Sequence, residues 1–195
     1  MAYELGYRLQ PHPRLSLDVA AFYNVYDHLL SIEGPGPPQP LPPVVTIPFT
    51  LANNLAGETY GVEVLANYQI ANWWRWQVGY TYLHMQLRTK QGSSDTTSVA
   101  SGEGSSPRHQ FFWRSWLDLP ANLELDTALR YVDALAYRNV SQYVALDVRL
   151  GWRPTKSLEL SVVGQNLLDH RHLEFSSSLR TEIQRGIYGK IIWRY

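Results

Sequence analysis

The side chains best suited to chemistry are few in this 195-residue chain, and they sit between its regular segments. His170-Arg171-His172 is the one compact run of potential metal ligands. Two imidazoles separated by one residue can chelate, but no third ligand stands at a defined spacing. The plain reading is a solvated loop; the functional reading is contact with an anion or a chelated metal. Tyr137 and Arg138 have the same standing. Asn166 and Asp169 fall where a segment ends, and such side chains close turns through backbone bonds, so a structural role is expected for them. There is no cysteine, hence no disulfide and no thiolate site. No G-x-S-x-G, H-E-x-x-H or phosphate loop occurs. We therefore expect no catalytic residue, no resident metal, no cofactor and no enzyme activity. Lys plus Arg and Asp plus Glu are 17 each, and this balance argues against a nucleic-acid partner.

What positions these residues is a period-two alternation repeated about nine times. Leu15, Leu17, Val19, Ala21 and Tyr23 oppose Ser16, Asp18 and Asn24. Tyr60, Val62, Val64, Ala66 and Tyr68 oppose Gly61, Glu63 and Asn67. The same pattern recurs from Trp74, Phe111, Leu123, Val144, Leu158 and Ile187 onward. One face is free of charge within each strand core and ends in Tyr or Trp, with Arg185 in register with it at a strand start. The other face carries both signs: Arg8, Asp18, Glu63, Arg75, Arg114, Asp118, Glu124, Asp126, Arg130, Asp147, Arg149 and Glu159. Lipid would enforce such a clean face, since Arg or Lys at the midplane costs about 2–4 kcal/mol. The mean hydropathy of −0.27 is no obstacle, because alternating strands average out. These faces predict an all-β chain, an antiparallel transmembrane β-barrel segment of about nine strands.

Connections alternate in length. Short turns are expected at 10–13, 71–73, 120–122 and 154–157, and long links at about 33–57, 89–107, 132–142 and 168–182. The 89–107 link, rich in Gly, Ser and Thr, reads as disordered. Outer-membrane barrels pair short periplasmic turns with long extracellular loops, which puts Tyr195 in the periplasm and residue 1 outside. With an odd strand number and no secretory signal at residue 1, this leads to the expectation of further sequence upstream.

Three segments carry a resemblance: Glu58-Thr59-Tyr60-Gly61-Val62-Glu63-Val64, Val163-Gly164-Gln165-Asn166-Leu167-Leu168-Asp169, and Arg185 through Tyr195. Together they resemble the C-terminal barrel region of TonB-dependent outer-membrane receptors. The resemblance implies that 1–195 is the C-terminal portion of a barrel of about 22 strands. It further implies a signal peptide, a TonB-pairing motif and a plug domain that are absent from these residues, so TonB and the plug are partners only through an upstream region. The implied location is the cell outer membrane, and the implied role is uptake of a scarce nutrient, a ferric siderophore or similar small-molecule metal chelate. Lipid and the barrel assembly machinery are the other implied partners. Gly189, Ile191, Trp193 and Tyr195 resemble the terminal assembly signal, with the glycine offset by one position. On the same implication Tyr137, Arg138, His170, Arg171 and His172 are candidate ligand contacts. The alternative is a self-contained small pore or adhesin barrel.

Overall fold

The computed structural model describes residues 1–175 and 181–195. Its elements are β1 (Ala2–His12), β2 (Leu15–Glu33), β3 (Gln39–Leu41), β4 (Val44–Thr46), β5 (Thr50–Ala71), β6 (Trp74–Thr89), a short helix α1 (Ser98–Glu103), β7 (His109–Leu119), β8 (Leu123–Val132), β9 (Tyr143–Thr155), β10 (Leu158–Gln165), β11 (Arg171–His172), β12 (Ile183–Gln184) and β13 (Gly186–Trp193). Nine strands form one sheet in the order β1-β2-β5-β6-β7-β8-β9-β10-β13. Setting aside the small hairpins β3–β4 and β11–β12, each strand pairs antiparallel with its neighbour in sequence, an up-and-down meander.

Register carries the two faces unbroken across the sheet, because directly opposed residues share a face. The apolar face runs Tyr7↔Val19↔Val64↔Tyr80↔Phe111↔Tyr131↔Val144 and, further along β9, Leu150↔Val162↔Gly189. The polar face pairs Arg8 with Asp18, Gln77 with Arg114 and Asp126 with Arg149. A slip of one residue anywhere would exchange the faces. Exposure is inverted relative to a water-soluble domain. Leu5, Ile187, Ile191 and Trp193 on the apolar face are 77%, 71%, 73% and 76% exposed, while Ser161 and Glu159 on the polar face are 7% and 6%. The polar face is thus the enclosed, lumen-side face, and the apolar face is turned to lipid. On β5 the apolar band runs from Tyr60 to Tyr68, matching the roughly 9–11 residues a tilted strand needs to cross a bilayer.

Three expectations need revision. First, the link expected over 33–57 is largely strand: β2 and β5 pair out to Glu33↔Thr50. Register shifts after Tyr26 and Leu29, with His28 at φ 58°, break the alternation there and disguise the strand as loop. Second, β1 continues through Pro11 to His12, so the turn lies at Pro13-Arg14. The register shift between Leu9 and His12 accommodates the proline on a strand at the end of the sheet. Third, Arg185 is not alone among charges in register with the apolar face, because Glu58 pairs with Val25 and Arg88 with Ala56. Both lie beyond Tyr60, outside the apolar band, and the Tyr23 hydroxyl donates to Glu58. The short turns, at 13–14, 72–73, 120–122 and 156–157, all fall at one end of the sheet.

Candidate functional site

The opposite end is built from carboxylates that fasten loops. Residues 90–108 are ordered, contrary to their composition, because Asp95 and Glu33 gather backbone donors that a Gly/Ser-rich loop would otherwise leave unpaired. The buried Asp95 carboxylate accepts from Ile32 N–H at 2.7 Å and from Thr97 and Ser98 N–H at 2.9 Å each. Glu33 accepts from Ser31 Oγ at 2.6 Å, Ser93 Oγ at 2.8 Å and Asn54 Nδ2 at 3.1 Å. Hydrogen bonds led by that from Ser31 hold the Glu33 pKa down at about 2. Burial pushes Asp95 up, but the bonds from Ser98, Ile32 and Thr97 outweigh it and leave it well below the usual carboxylate range. The sequence signal is Ser93-Ser94-Asp95-Thr96-Thr97-Ser98, a run of side chains that start helices; its order could have been read there and was not.

So fastened, α1 lies against the lumen face of β6. A Cβ on Gly102 would come within 2.5 Å of Leu87 Cδ1, and Glu103 Oε1 accepts the Leu87 N–H at 2.7 Å. Tyr137 and Arg138 stand on the β8–β9 connection, which docks onto this inward-folded loop. The Tyr137 N–H donates to Gly104 O at 3.0 Å, and Arg138 Nε donates to Ser105 Oγ at 3.0 Å. Gly104 must be glycine for this approach, because a Cβ would meet the Tyr137 backbone N at 2.8 Å. Tyr137 remains 47% exposed, with the Arg138 guanidinium 5.8 Å from its ring centre.

The histidine run divides. His170 and Arg171 line a cleft of ≈ 430 Å³ with Gln184 and Arg185, a polar recess with cationic walls. Arg171 is also paired to Glu182 at 3.2 Å. His172 turns inward, its ring stacked on Tyr143 at 4.2 Å between centres. Asn166 is buried where β10 ends; its N–H donates to Asp147 Oδ1 at 2.9 Å and its Nδ2 to Ile183 O at 3.2 Å, the geometry of a structural tie. The loop expected over 168–182 includes 176–180, which lie outside the described residues. Among the described residues no three His, Asp or Glu side chains are grouped to hold a metal.

On the lumen wall near the short turns, Arg149 joins three strands through Glu124 at 3.0 Å, Asp126 at 2.9 Å and Glu159 at 2.7 Å. Arg153 adds Glu124 at 2.9 Å, and Arg194 reaches Glu159 at 3.4 Å. Other wall cations lie over rings instead, Arg75 over Trp116 and Arg114 over Phe112. Of the terminal residues, Gly189, Ile191 and Trp193 lie on β13 along the lipid face, opposite Val162, Leu160 and Leu158. Tyr195 follows the end of β13 and is exposed.

The sequence matches the family described as TonB dependent receptor-like, beta-barrel, over residues 1–167. The pesticin receptor of Yersinia pestis is 25% identical over 174 residues, which cover 87% of this chain and 24% of that protein. The chain therefore spans about a quarter of the length of the curated relatives it matches. Among solved structures, the siderophore receptor PiuA from Acinetobacter baumannii superposes with a TM-score of 0.72 at 20% identity, over 98% of this chain and 27% of that one. The ferric yersiniabactin uptake receptor FyuA from Yersinia pestis gives 0.65 at 21% identity, over 100% and 30%.

Proposed function

The chain belongs to the family of TonB-dependent receptor β-barrels, and from that premise we propose that it is the C-terminal part of an outer-membrane receptor that takes up a ferric siderophore or a similar metal chelate. One structurally similar protein is a siderophore receptor by name and another a ferric yersiniabactin uptake receptor, which supports the substrate class. On this reading residues 1–195 close the barrel at Tyr195, with the short turns and the C-terminus in the periplasm. The plug and the TonB-pairing segment come from the rest of the receptor. The terminal Gly189, Ile191, Trp193 and Tyr195 serve recognition by the assembly machinery.

The observation that carries the proposal is the asymmetry of the two ends. One end has only tight turns, while at the other two loops lock together against the lumen face and present Tyr137 and Arg138. A neighbouring cleft holds His170, Arg171 and Arg185. An exposed aromatic ring beside cationic groups suits a chelate with anionic and aromatic parts. The role we infer for this end is recognition and passage.

The test is whole-cell uptake of labelled ferric chelates by the full-length receptor in iron-limited cells. We expect Arg138→Ala to weaken uptake of the cognate chelate at limiting concentration and to leave uptake at saturation nearly intact. Dependence of no ferric chelate on this receptor would overturn the substrate class and leave the barrel assignment standing.

A further inference from the structure

The lipid face of the last strands has two glycine gaps, and the chain fills one of them. On this face β13, β10 and β9 stack in rows: Ile191↔Leu160↔Trp152, then Gly189↔Val162↔Leu150, then Ile187↔Gly164↔Val148. At Gly164 the side chain of Leu167 leans in, and a Cβ there would meet Leu167 Cδ2 at 2.8 Å. At Gly189 a Cβ would find nothing nearer than Ser161 O at 3.8 Å. The second gap opens into a groove of ≈ 530 Å³, bordered by Ile191 of β13, Leu160 and Val162 of β10, Leu150 and Trp152 of β9, and Leu123 of β8. It therefore runs across four strands and away from the end of the sheet. Ser161 and Lys190 also border it, and by alternation their side chains belong to the polar face.

A gap in this wall differs from one that faces water. Inside hydrocarbon, closing a gap hides no apolar surface from water, so the gain comes from contact alone. Atoms lining the groove lack dispersion partners on one side until something about one methylene wide lies against them. Such an occupant must be apolar, thin and able to bend. It must also enter from the membrane, the side on which Val162 and Ile191 are 55% and 73% exposed. The groove lies just inside the ring of indoles at the short-turn end, where Trp152 borders it and Trp193 stands opposite Leu158. That is the level of the hydrocarbon nearest the headgroups of one leaflet.

We propose that this groove lodges one acyl chain of a phospholipid from the leaflet on the short-turn side. The groove is continuous with the lipid-facing wall, so acyl chains are its neighbours already. Gly189 supplies the depth, Val162 directly opposite supplies the floor, and Trp152 flanks the end nearest the headgroup. No polar partner is built into it, so the site selects a hydrocarbon chain and is indifferent to the headgroup. Gly189 thus has a role in the finished barrel that is separate from any part in assembly.

The test is photo-crosslinking of the full-length receptor, refolded from urea into phosphatidylcholine vesicles so that no assembly machinery takes part. The vesicles carry a small fraction of phosphatidylethanolamine with a diazirine in the middle of one acyl chain. After illumination, crosslinked lipid is mapped on peptides covering 150–162 and 187–193, with the lipid-facing stretch 60–68 of β5 as reference. We expect the groove peptides to carry about threefold more lipid than the reference, a modest excess because packing alone holds the chain. Gly189→Leu should remove the excess by filling the groove from β13, and Val162→Phe should do so from β10. Heat-modifiable migration verifies that each variant has folded, and either one that folds decides the matter. Equal labelling of groove and reference in the wild type overturns the site, and it is also the result if another part of the receptor covers the groove. An excess that persists in a folded variant overturns it as well. No chelate enters the assay, so failure here leaves the uptake proposal untouched.

Discussion

Val64 and Glu63 are consecutive residues with opposite surroundings. Val64 faces lipid between Val19 and Tyr80, while Glu63 faces the lumen between Ala20 and Thr81. In refolding of the full-length receptor from urea into lipid vesicles, Val64→Arg should cost about 2–4 kcal/mol and Glu63→Arg much less. Equal costs would remove the lipid-face assignment. Arg149 is the wall residue with most to lose. Replacing it with alanine takes the cation from Asp126 and leaves Glu124 and Glu159 to Arg153 and Arg194, and equilibrium unfolding should show a loss of about 1–3 kcal/mol, below that of a dry buried pair because the wall is partly wet. Face assignments of this kind were legible in the sequence, since alternation alone fixes which side a residue takes. Partnerships were not. Nothing in the local pattern around Arg149 says that it reaches Glu159 across a neighbouring strand, or that His172 turns inward while His170 does not.

At the level of strands and loops, cross-strand glycine–ring pairs hold the lumen wall close. A Cβ on Gly79 would lie 2.2 Å from Phe112 Cε1, and one on Gly61 would lie 2.6 Å from Phe22 Cζ. Gly79→Ala should destabilise by about 1–3 kcal/mol through overpacking. Most of that cost should vanish in a Phe112→Ala background, which a double-mutant cycle measures directly. The α1 loop obeys a different control. Glu33 has its pKa lowered in the folded loop, so its contribution is fully present above the ordinary glutamate range, near pH 4.5, and is lost as pH falls toward about 2. A spin label at Ala100→Cys, the sole thiol in the chain, should stay immobile at neutral pH and gain mobility across that acid window. Glu33→Gln should mobilise it at neutral pH as well. Here sequence reasoning went wrong for a physical reason: loop composition records the absence of an apolar periodicity, whereas order at 90–108 comes from carboxylates collecting backbone donors. The extra length of β2 and β5 was hidden for a related reason, because the register shifts near His28 erase the alternation by which strands are recognised.

On the scale of the whole molecule, β1 and β13 end the nine-stranded sheet and each pairs along one side. Unpaired backbone in hydrocarbon costs several kcal/mol per group (of the order of a lost hydrogen bond in oil). The 195-residue chain alone should therefore give no heat-modifiable monomer on refolding, and the full-length receptor should. A monomeric, conducting species from this chain by itself would favour a small pore instead. The sheet also carries its own optical marker. Trp73 and Trp74 stack at 5.9 Å with planes 10° apart, Trp74 meets Trp76 edge-on at 5.1 Å, and Trp76 meets Trp113 edge-on at 5.8 Å. Indoles this close in a fixed chiral arrangement share their excitation, so circular dichroism should show an exciton couplet that unfolded chains lack. Its appearance requires β6 and β7 in register with the turn at Trp73 already formed. A stopped-flow trace of that couplet would therefore time the joining of β5, β6 and β7 inside the bilayer, with no label introduced.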